Sequence, residues 1–306
     1  MILCCGESLI DMLPRESAAG EAAFAPYVGG AVFNTAIALG RLGAPVGFVS
    51  GISTDLFGQM LIEALAAAAV DATSAVRSGR PTTLAFVTLV DGHARYAFYD
   101  EGTAGRMLSE TDLPALPDDV DACFFGGISL MVEPCAAAYE ALAARAHAAG
   151  KVVMLDPNIR PGFIHDPEGY RGRLDRMLAM ADLVKISDED LAWITGQTGA
   201  AGVAMLQAKG ARVVFLTEGA AGATAFGGGD PVQRPARQVP VADTVGAGDT
   251  FNAGVLAALH EAGCLSRAAL ATVSDAVLAA ALDLGIAAAA VTVARPGANP
   301  PWRDEL

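Results

Sequence analysis

From residue 120 onward, short apolar runs alternate with longer stretches rich in alanine and leucine at helical spacing. Val120-Asp121-Ala122-Cys123-Phe124-Phe125 reads as a buried strand, and Glu133 to Ala149 as a helix ended by Gly150. Lys151-Val152-Val153-Met154-Leu155-Asp156 predicts the next strand and Tyr170 to Ala181 the next helix. Leu183-Val184-Lys185-Ile186 and Val213-Val214-Phe215-Leu216 are two further strands with helical segments between them. Strands this continuously apolar are covered on both faces, so the alternation predicts an α/β fold with a doubly wound, mostly parallel sheet. Ligands bind such sheets beyond the carboxyl ends of the strands. Polar residues gather at those ends: Asp156-Pro157-Asn158-Ile159-Arg160, Lys185-Ile186-Ser187-Asp188-Glu189-Asp190, and Thr217-Glu218-Gly219. The alanine-rich segments Leu61 to Val70 and Leu278 to Ala290 read as core helices without chemistry.

The segment Thr82 to Tyr99 breaks the pattern. Two β-rich runs flank Asp91-Gly92, the strongest short hairpin signal, so a hairpin is expected as an insertion between parallel units. No Ser/Gly tract, charge run or repeat marks a linker, and residues 1–306 read as one domain.

Composition narrows the function. Hydrophobic residues make up 53% of the chain, enough for a large core. A net charge of −14 with no Lys/Arg cluster opposes a nucleic-acid surface. Any bound polyanion must therefore meet local positive potential, at helix N-termini and single basic residues. The five cysteines form no Cys-x-x-Cys pair, and Cys4 and Cys5 should point to opposite sheet faces, so buried thiols are expected rather than disulfides or zinc. The histidines (His93, His147, His165, His260) have no ligand-like spacing. Met1 to Glu7 lacks a basic n-region, and the run Ile286 to Val291 is short and flanked by Asp283 and Arg295. The expectation is a soluble, cytoplasmic protein with neither membrane nor nucleic-acid partner.

The most specific motif is Asp243-Thr244-Val245-Gly246-Ala247-Gly248-Asp249-Thr250-Phe251-Asn252-Ala253-Gly254. A run of small residues opens a helical pattern, whose first N–H groups lack intrahelical partners and whose dipole favours anions. Gly246, Ala247 and Gly248 carry no bulk, so a phosphate can approach closely. Asp249 then stands beside the bound anion, placed to act as base for a hydroxyl nucleophile. No Gly-x-x-x-x-Gly-Lys-Ser/Thr run exists, which excludes P-loop chemistry. Asp11 follows the first strand, where an isolated acid reads first as a surface residue, and Arg160 follows another with Asn158 and Pro161 beside it, where a ligand would lie. Asn34, after Gly29-Gly30, is either a helix N-cap or a ligand contact.

This run resembles the C-terminal signature of the PfkB (ribokinase-like) family of sugar kinases. Gly29-Gly30-Ala31-Val32-Phe33-Asn34 through Leu42-Gly43 is similar to its first signature, and Arg295 to Arg303 to its C-terminal segment. The resemblance implies an anion hole at Gly246, Ala247 and Gly248, with Asp249 as catalytic base and Arg160 approaching the transferred phosphate. It implies sugar contacts from Asp11, Gly30 and Asn34, and a nucleotide site at Lys185, Ser187, Thr217, Gly219 and Gly222. ATP and Mg²⁺ are the implied cofactors. Asp190 would act on Mg²⁺ through water, although the family's Asn-x-x-Glu is here Ser187-Asp188-Glu189-Asp190. A K⁺ site is implied at Asp243, Val245, Thr292, Arg295 and Gly297, largely through backbone oxygens, and Pro301 lacks a serine hydroxyl that some relatives use. Ile286 stands where many relatives carry an asparagine near adenine. Strands from about residues 10–30 and 80–105 would form a small sheet closing over the sugar as a lid, and a homodimer could form through it.

The opening Leu3 to Pro14 and the segment Tyr99 to Met107 look more like bacterial fructokinases than ribokinases. Ala31 replaces a ribokinase lysine, and Gly126-Gly127-Ile128-Ser129 stands where ribokinases carry a glutamate. The expected substrate is D-fructose. A 2-keto-3-deoxygluconate kinase would want an extra cation, for which the lid offers Arg95 and Arg106. Phe86, Tyr96, Phe98 and Tyr99 leave a nucleoside kinase open. A non-catalytic sugar- or nucleotide-binding regulator is opposed by the intact Gly-Ala-Gly run and Asp249.

Overall fold

The computed structural model describes the backbone of residues 1–90 and 93–306, and the side chains of all of these except 88–90 and 93–96. The expected Asp91-Gly92 turn and the side chains of Arg95 and Tyr96 lie outside the described residues. The chain opens with β1 (Ile2–Cys5), β2 (Leu9–Glu16), β3 (Ala22–Gly29), α1 (Ala31–Arg41) and β4 (Val46–Val49). Then come β5 (Gly51–Ser53), α2 (Leu56–Ala67), β6 (Val76–Ser78), β7 (Leu84–Val90) and β8 (His93–Tyr99). Alternation follows: β9 (Ala122–Gly126), α3 (Cys135–Ala148), β10 (Val152–Asp156), α4 (Pro167–Met180) and β11 (Leu183–Ser187). Next are α5 (Asp188–Thr195), α6 (Gly199–Lys209), β12 (Val213–Thr217), β13 (Ala223–Phe226) and β14 (Val232–Arg234). Helices α7 (Ala247–Glu261), α8 (Arg267–Leu270) and α9 (Asp275–Val293) end the order.

The strands expected after residue 120 are all present, shifted by one or two residues at their ends. Helix α4 starts earlier than its apolar pattern suggests. Asp166 caps it by accepting from the Gly169 N–H, and Pro167 takes the first position, where a missing N–H costs nothing.

The main sheet has the order β14-β13-β12-β11-β10-β9-β1-β4, parallel from β12 to β4. Among the described strands of this sheet, β13 alone runs against the others, pairing antiparallel with both β12 and β14. One face is covered by α1, α7 and α9, through residues such as Leu39, Val255 and Leu282. The other face carries α3, α4 and α6, through Tyr139, Met177 and Leu206. Cys4 belongs to the first layer and Cys5 to the second, as strand alternation requires.

The glycine and alanine content finds its use where α7 meets α9. A Cβ on Gly254 would lie 2.6 Å from Gly285 Cα, so only glycine lets the two backbones approach this closely. Helix α9 corrects one expectation: it is long and apolar enough to cross a membrane, and Asp283 does not interrupt it. Asp283 instead sits on its outer side, 3.0 Å from Arg234 Nε of β14, while Leu278, Ala281 and Leu282 face the core. The helix packs on α7, β13 and β14.

A second sheet has the order β3-β2-β7-β8, with β2 and β7 parallel and the two outer pairs antiparallel. Along β2, burial falls from Leu9 and Ile10, in the core, to Pro14, Arg15 and Glu16 in solvent. The sheet is thus anchored at one end and projects from the body at the other. Phe24, Phe86 and Tyr99 stack edge to face across it.

Candidate active site

Gly246 is the N-cap of α7 and adopts the left-handed conformation (φ 78°). A Cβ there would be strained and would lie 2.7 Å from the Ala298 side chain. The helix N-terminus therefore opens on a bulk-free turn, with the N–H groups of Gly246, Ala247 and Gly248 at its mouth. Asp249 lies within the first turn of α7 and is nearly buried. The Asn34 side-chain amide donates to Asp249 Oδ2 at 2.9 Å, and the Thr35 hydroxyl donates to the Asp249 carbonyl at 3.2 Å. Burial, foremost, pushes the Asp249 carboxyl up to about 7; Asp156 and Glu7 add to the rise, while Asn34 and Lys185 oppose it. A carboxyl poised there can take a proton at neutral pH.

Asn34 is not an N-cap. Gly30 caps α1, its carbonyl accepting from the Asn34 N–H, and Asn34 sits in the helix's first turn, pointing at Asp249. Asp11 lies on β2, opposite Tyr27 of β3, and its carboxylate covers Gly29: a Cβ on Gly29 would fall 2.3 Å from Asp11 Oδ2. Burial pushes the Asp11 carboxyl up to about 6. Asp11, Gly29-Gly30, Asn34 and Asp249 thus follow one another along the junction between the small sheet and the body.

On the other side of Gly248 lies a cavity of about 690 Å³, within the range of small-molecule sites. Lys185, Ser187, Thr217, Gly219 and Gly222 line its polar end, and Phe251, Ile286, Ala289, Ala290 and Val293 its apolar wall. The expected nucleotide residues are therefore brought together, and Ile286 is part of an apolar surface suited to a flat heterocycle.

Lys185 holds a position that its place in the sequence did not reveal. Its ammonium is buried, 3.1 Å from where a Cβ on Gly248 would stand and 3.1 Å from Asp156 Oδ2. Asn252 Nδ2 donates to the same Asp156 oxygen at 2.7 Å. Asp156 Oδ1 and Asn252 Oδ1 are buried without partners. Asp156 was legible only as one of several strand-end acids. Asn252 is three residues after Asp249 on one helix face, a spacing that could have signalled it.

Other expected residues are arranged differently. Arg160 is exposed, and its guanidinium donates to the Ile159 carbonyl at 3.0 Å; the structure does not bring it to Asp249 or to the cavity. Asp190 accepts from the Ile159 N–H at 3.3 Å, and burial raises its carboxyl above the usual range. Asp243 accepts from the N–H groups of Val245 and Gly297, both at 3.0 Å, tying together the two loops of the expected cation site. The Thr292 hydroxyl donates to the Ala288 carbonyl and bonds Thr250. The Arg295 guanidinium turns away to Glu305, so only its backbone could serve a cation.

The arrangement joins a carboxylate of raised proton affinity, a bulk-free helix N-terminus, a buried ammonium and a cavity of about 690 Å³. It can accept a proton from a hydroxyl and stabilise negative charge on a group passing to it. Residues 1–305 match the family described as pfkB family carbohydrate kinase. The chain is 52% identical over 280 residues to a fructokinase of Rhizobium leguminosarum bv. trifolii, covering 91% of this chain and 85% of that one. A crystal structure of a fructokinase with bound ATP from Xylella fastidiosa superimposes with a TM-score of 0.88 at 31% identity, over 97% of this chain and 93% of that one. A Vibrio cholerae O395 fructokinase bound to fructose, ADP and calcium gives a TM-score of 0.83 at 25% identity, over 97% and 94% of the two chains.

Proposed function

The chain belongs to the pfkB family of carbohydrate kinases, and we propose that it is a fructokinase, transferring the γ-phosphoryl group of ATP to D-fructose to give fructose 6-phosphate. The observation that carries this reading is Asp249, set at the N-terminus of α7 between the Asp11–Asn34 cleft and the 690 Å³ cavity. ATP takes the cavity, its base against the apolar wall of Ile286 and Val293 and its phosphates toward Gly246, Ala247 and Gly248. Fructose takes the cleft, with Asp11, Gly30 and Asn34 on its hydroxyls. Asp249 removes the proton of the attacking hydroxyl, the α7 N–H groups receive charge on the moving phosphoryl group, and Lys185 adds its positive charge from beneath.

The oxygen donors fit Mg²⁺: Asp190 stands in the first turn of α5, and the partnerless Asp156 Oδ1 at the end of β10. A hydrated Mg²⁺ would neutralise charge on the phosphates when bound. The loops joined by Asp243 and Gly297 suit a K⁺ held by backbone oxygens. Arg160 would have to swing in from solvent to reach the phosphoryl group. The small sheet serves as a lid over the sugar, and its aromatic face is where a second copy would dock. A cytoplasmic setting, where ATP is plentiful, goes with this activity.

The carboxylate-bearing substrate of the rival reading would call on Arg95 or Arg106, and the Arg95 side chain lies outside the described residues. Arg106 is committed to Asp100 Oδ1 at 3.1 Å and to the Glu133 carbonyl. The test is a substrate comparison with MgATP: kcat/KM is expected to be highest for D-fructose. A higher value for ribose, adenosine or 2-keto-3-deoxygluconate overturns the fructose assignment.

A further inference from the structure

Glu7 is absent from the motifs that sequence reading singled out for chemistry, yet it joins both glycine turns beside the cleft. Its Oε1 accepts from the Ala31 N–H at 2.9 Å, and its Oε2 from the Ser129 N–H at 3.3 Å. Helix α1 has no side-chain N-cap, because its cap is Gly30, and no acid in its first turn. Glu7 supplies the missing carboxylate from 24 residues upstream, where it meets the unpaired N–H groups and the positive end of the helix dipole. The fit is close on both sides. A Cβ on Gly127 would lie 2.3 Å from Glu7 Oε1, and one on Gly30 would lie 2.9 Å from the Glu7 carbonyl oxygen.

We propose that Glu7 is a positioning residue for phosphoryl transfer, fixing the start of α1 and through it the Asn34–Asp249 hydrogen bond. Both of its oxygens are occupied by N–H donors, so it acts through α1 rather than by touching the sugar. Two N–H donors on one carboxylate also suit its ionised form, although burial raises its affinity for a proton. An ionised Glu7 in turn acts on Asp249. The groups facing Asp249 are Asn34 from α1, Asp156 from β10, Lys185 from β11 and Glu7 from the segment between β1 and β2. Of the two anions, Glu7 is the one without a cationic partner among the described residues, since Asp156 holds Lys185. Removing its charge lowers the proton affinity of Asp249.

The inference rests on Asp249 being the base, and the experiment separates the two. The kcat/KM for fructose is measured from about pH 5.5 to 9 for wild type, Glu7→Gln, Glu7→Asp and Asp249→Asn, with thermal melts to confirm folding. Glu7→Gln should lower kcat/KM about tenfold at pH 8, the worth of a charge-assisted hydrogen bond. It should also move the acidic limb to lower pH by about 0.5, because a like charge has gone. Glu7→Asp keeps the charge and loses reach, so its limb should stay in place while the rate falls. An unmoved limb in Glu7→Gln, or a wild-type rate in Glu7→Asp, overturns the role of Glu7. Should Glu7→Gln fail to fold, Glu7→Asp decides alone. If Asp249→Asn retains the wild-type limb, the base assignment falls, and the role of Glu7 with it.

Discussion

The amide of Asn34 donates to Asp249 Oδ2 at 2.9 Å across a separation of 215 residues. This bond joins the first turn of α1, which borders the small sheet, to the first turn of α7, which borders the nucleotide-sized cavity. It holds the carboxylate in one orientation, and it stabilises the ionised form against the desolvation that burial imposes.

Asp249→Asn preserves shape and leaves the N–H groups of the anion hole in place. Turnover should fall by roughly 10²–10⁴-fold, the usual worth of a positioned base, with ATP affinity little changed. Steady-state kinetics and nucleotide titration check this; more than about a tenth of wild-type kcat would remove Asp249 from the mechanism.

With the Asp249 carboxyl near 7, kcat/KM should fall as pH drops through about 7, since the protonated acid cannot accept a proton. The same group sets a stability trend. Its folded value lies above its unfolded one, so folding is favoured most below the unfolded value, and that contribution is lost as pH rises through about 7. Asp249→Asn should therefore raise Tm at pH 8 and change it little near pH 4. Equal effects at both pH values would contradict a buried, ionised Asp249 at pH 8.

Asp11→Ala removes a carboxylate from the sugar side only. A hydrogen bond to a charged group contributes about 1.5–3 kcal/mol, so kcat/KM for fructose should fall by roughly 10- to 150-fold. The KM for ATP should hold. Equal losses on both substrates would mean that Asp11 shapes the fold instead of the sugar site.

Lys185→Met leaves Asp156 buried without its cation, which should destabilise the chain by about 3–5 kcal/mol in denaturant melts. Adding Asp156→Asn should recover most of that loss, as the charge that needed pairing is gone. Catalysis should not recover, because the ammonium beneath Gly248 is still missing. Recovery of turnover in the double variant would reduce Lys185 to a structural partner.

The small sheet is buried at its Leu9–Ile10 end and runs out into solvent at the other, so it should open more readily than the main sheet. Hydrogen exchange across residues 82–90 and 93–99 should slow when fructose is added, while Val213–Thr217 stays unchanged. Equal protection with and without sugar would make this sheet a fixed element and end its role as a lid.

The sequence by itself determined what depends on local pattern. Continuous apolar runs bounded by glycine and polar residues gave β9 to β12 and their helices, because a strand covered on both faces must be apolar along its length. The run from Asp243 to Gly254 marked a helix start free of bulk with an acid beside it, because small residues leave the first N–H groups open. Tertiary structure alone decided what depends on distance through space. It decided between the two readings of Asn34, making it a partner of Asp249 and not a cap, set Lys185 under Gly248, and left Arg160 in solvent. It also gave Glu7 to α1, and let Asp283 sit on the outer side of an unbroken α9. A residue's type fixes what it can donate or accept. Which partner it meets, and how much water remains around the pair, is fixed only when segments hundreds of residues apart pack together. Burial and neighbouring charge then raise the carboxyl of Asp249 to about 7, a value no local pattern encodes.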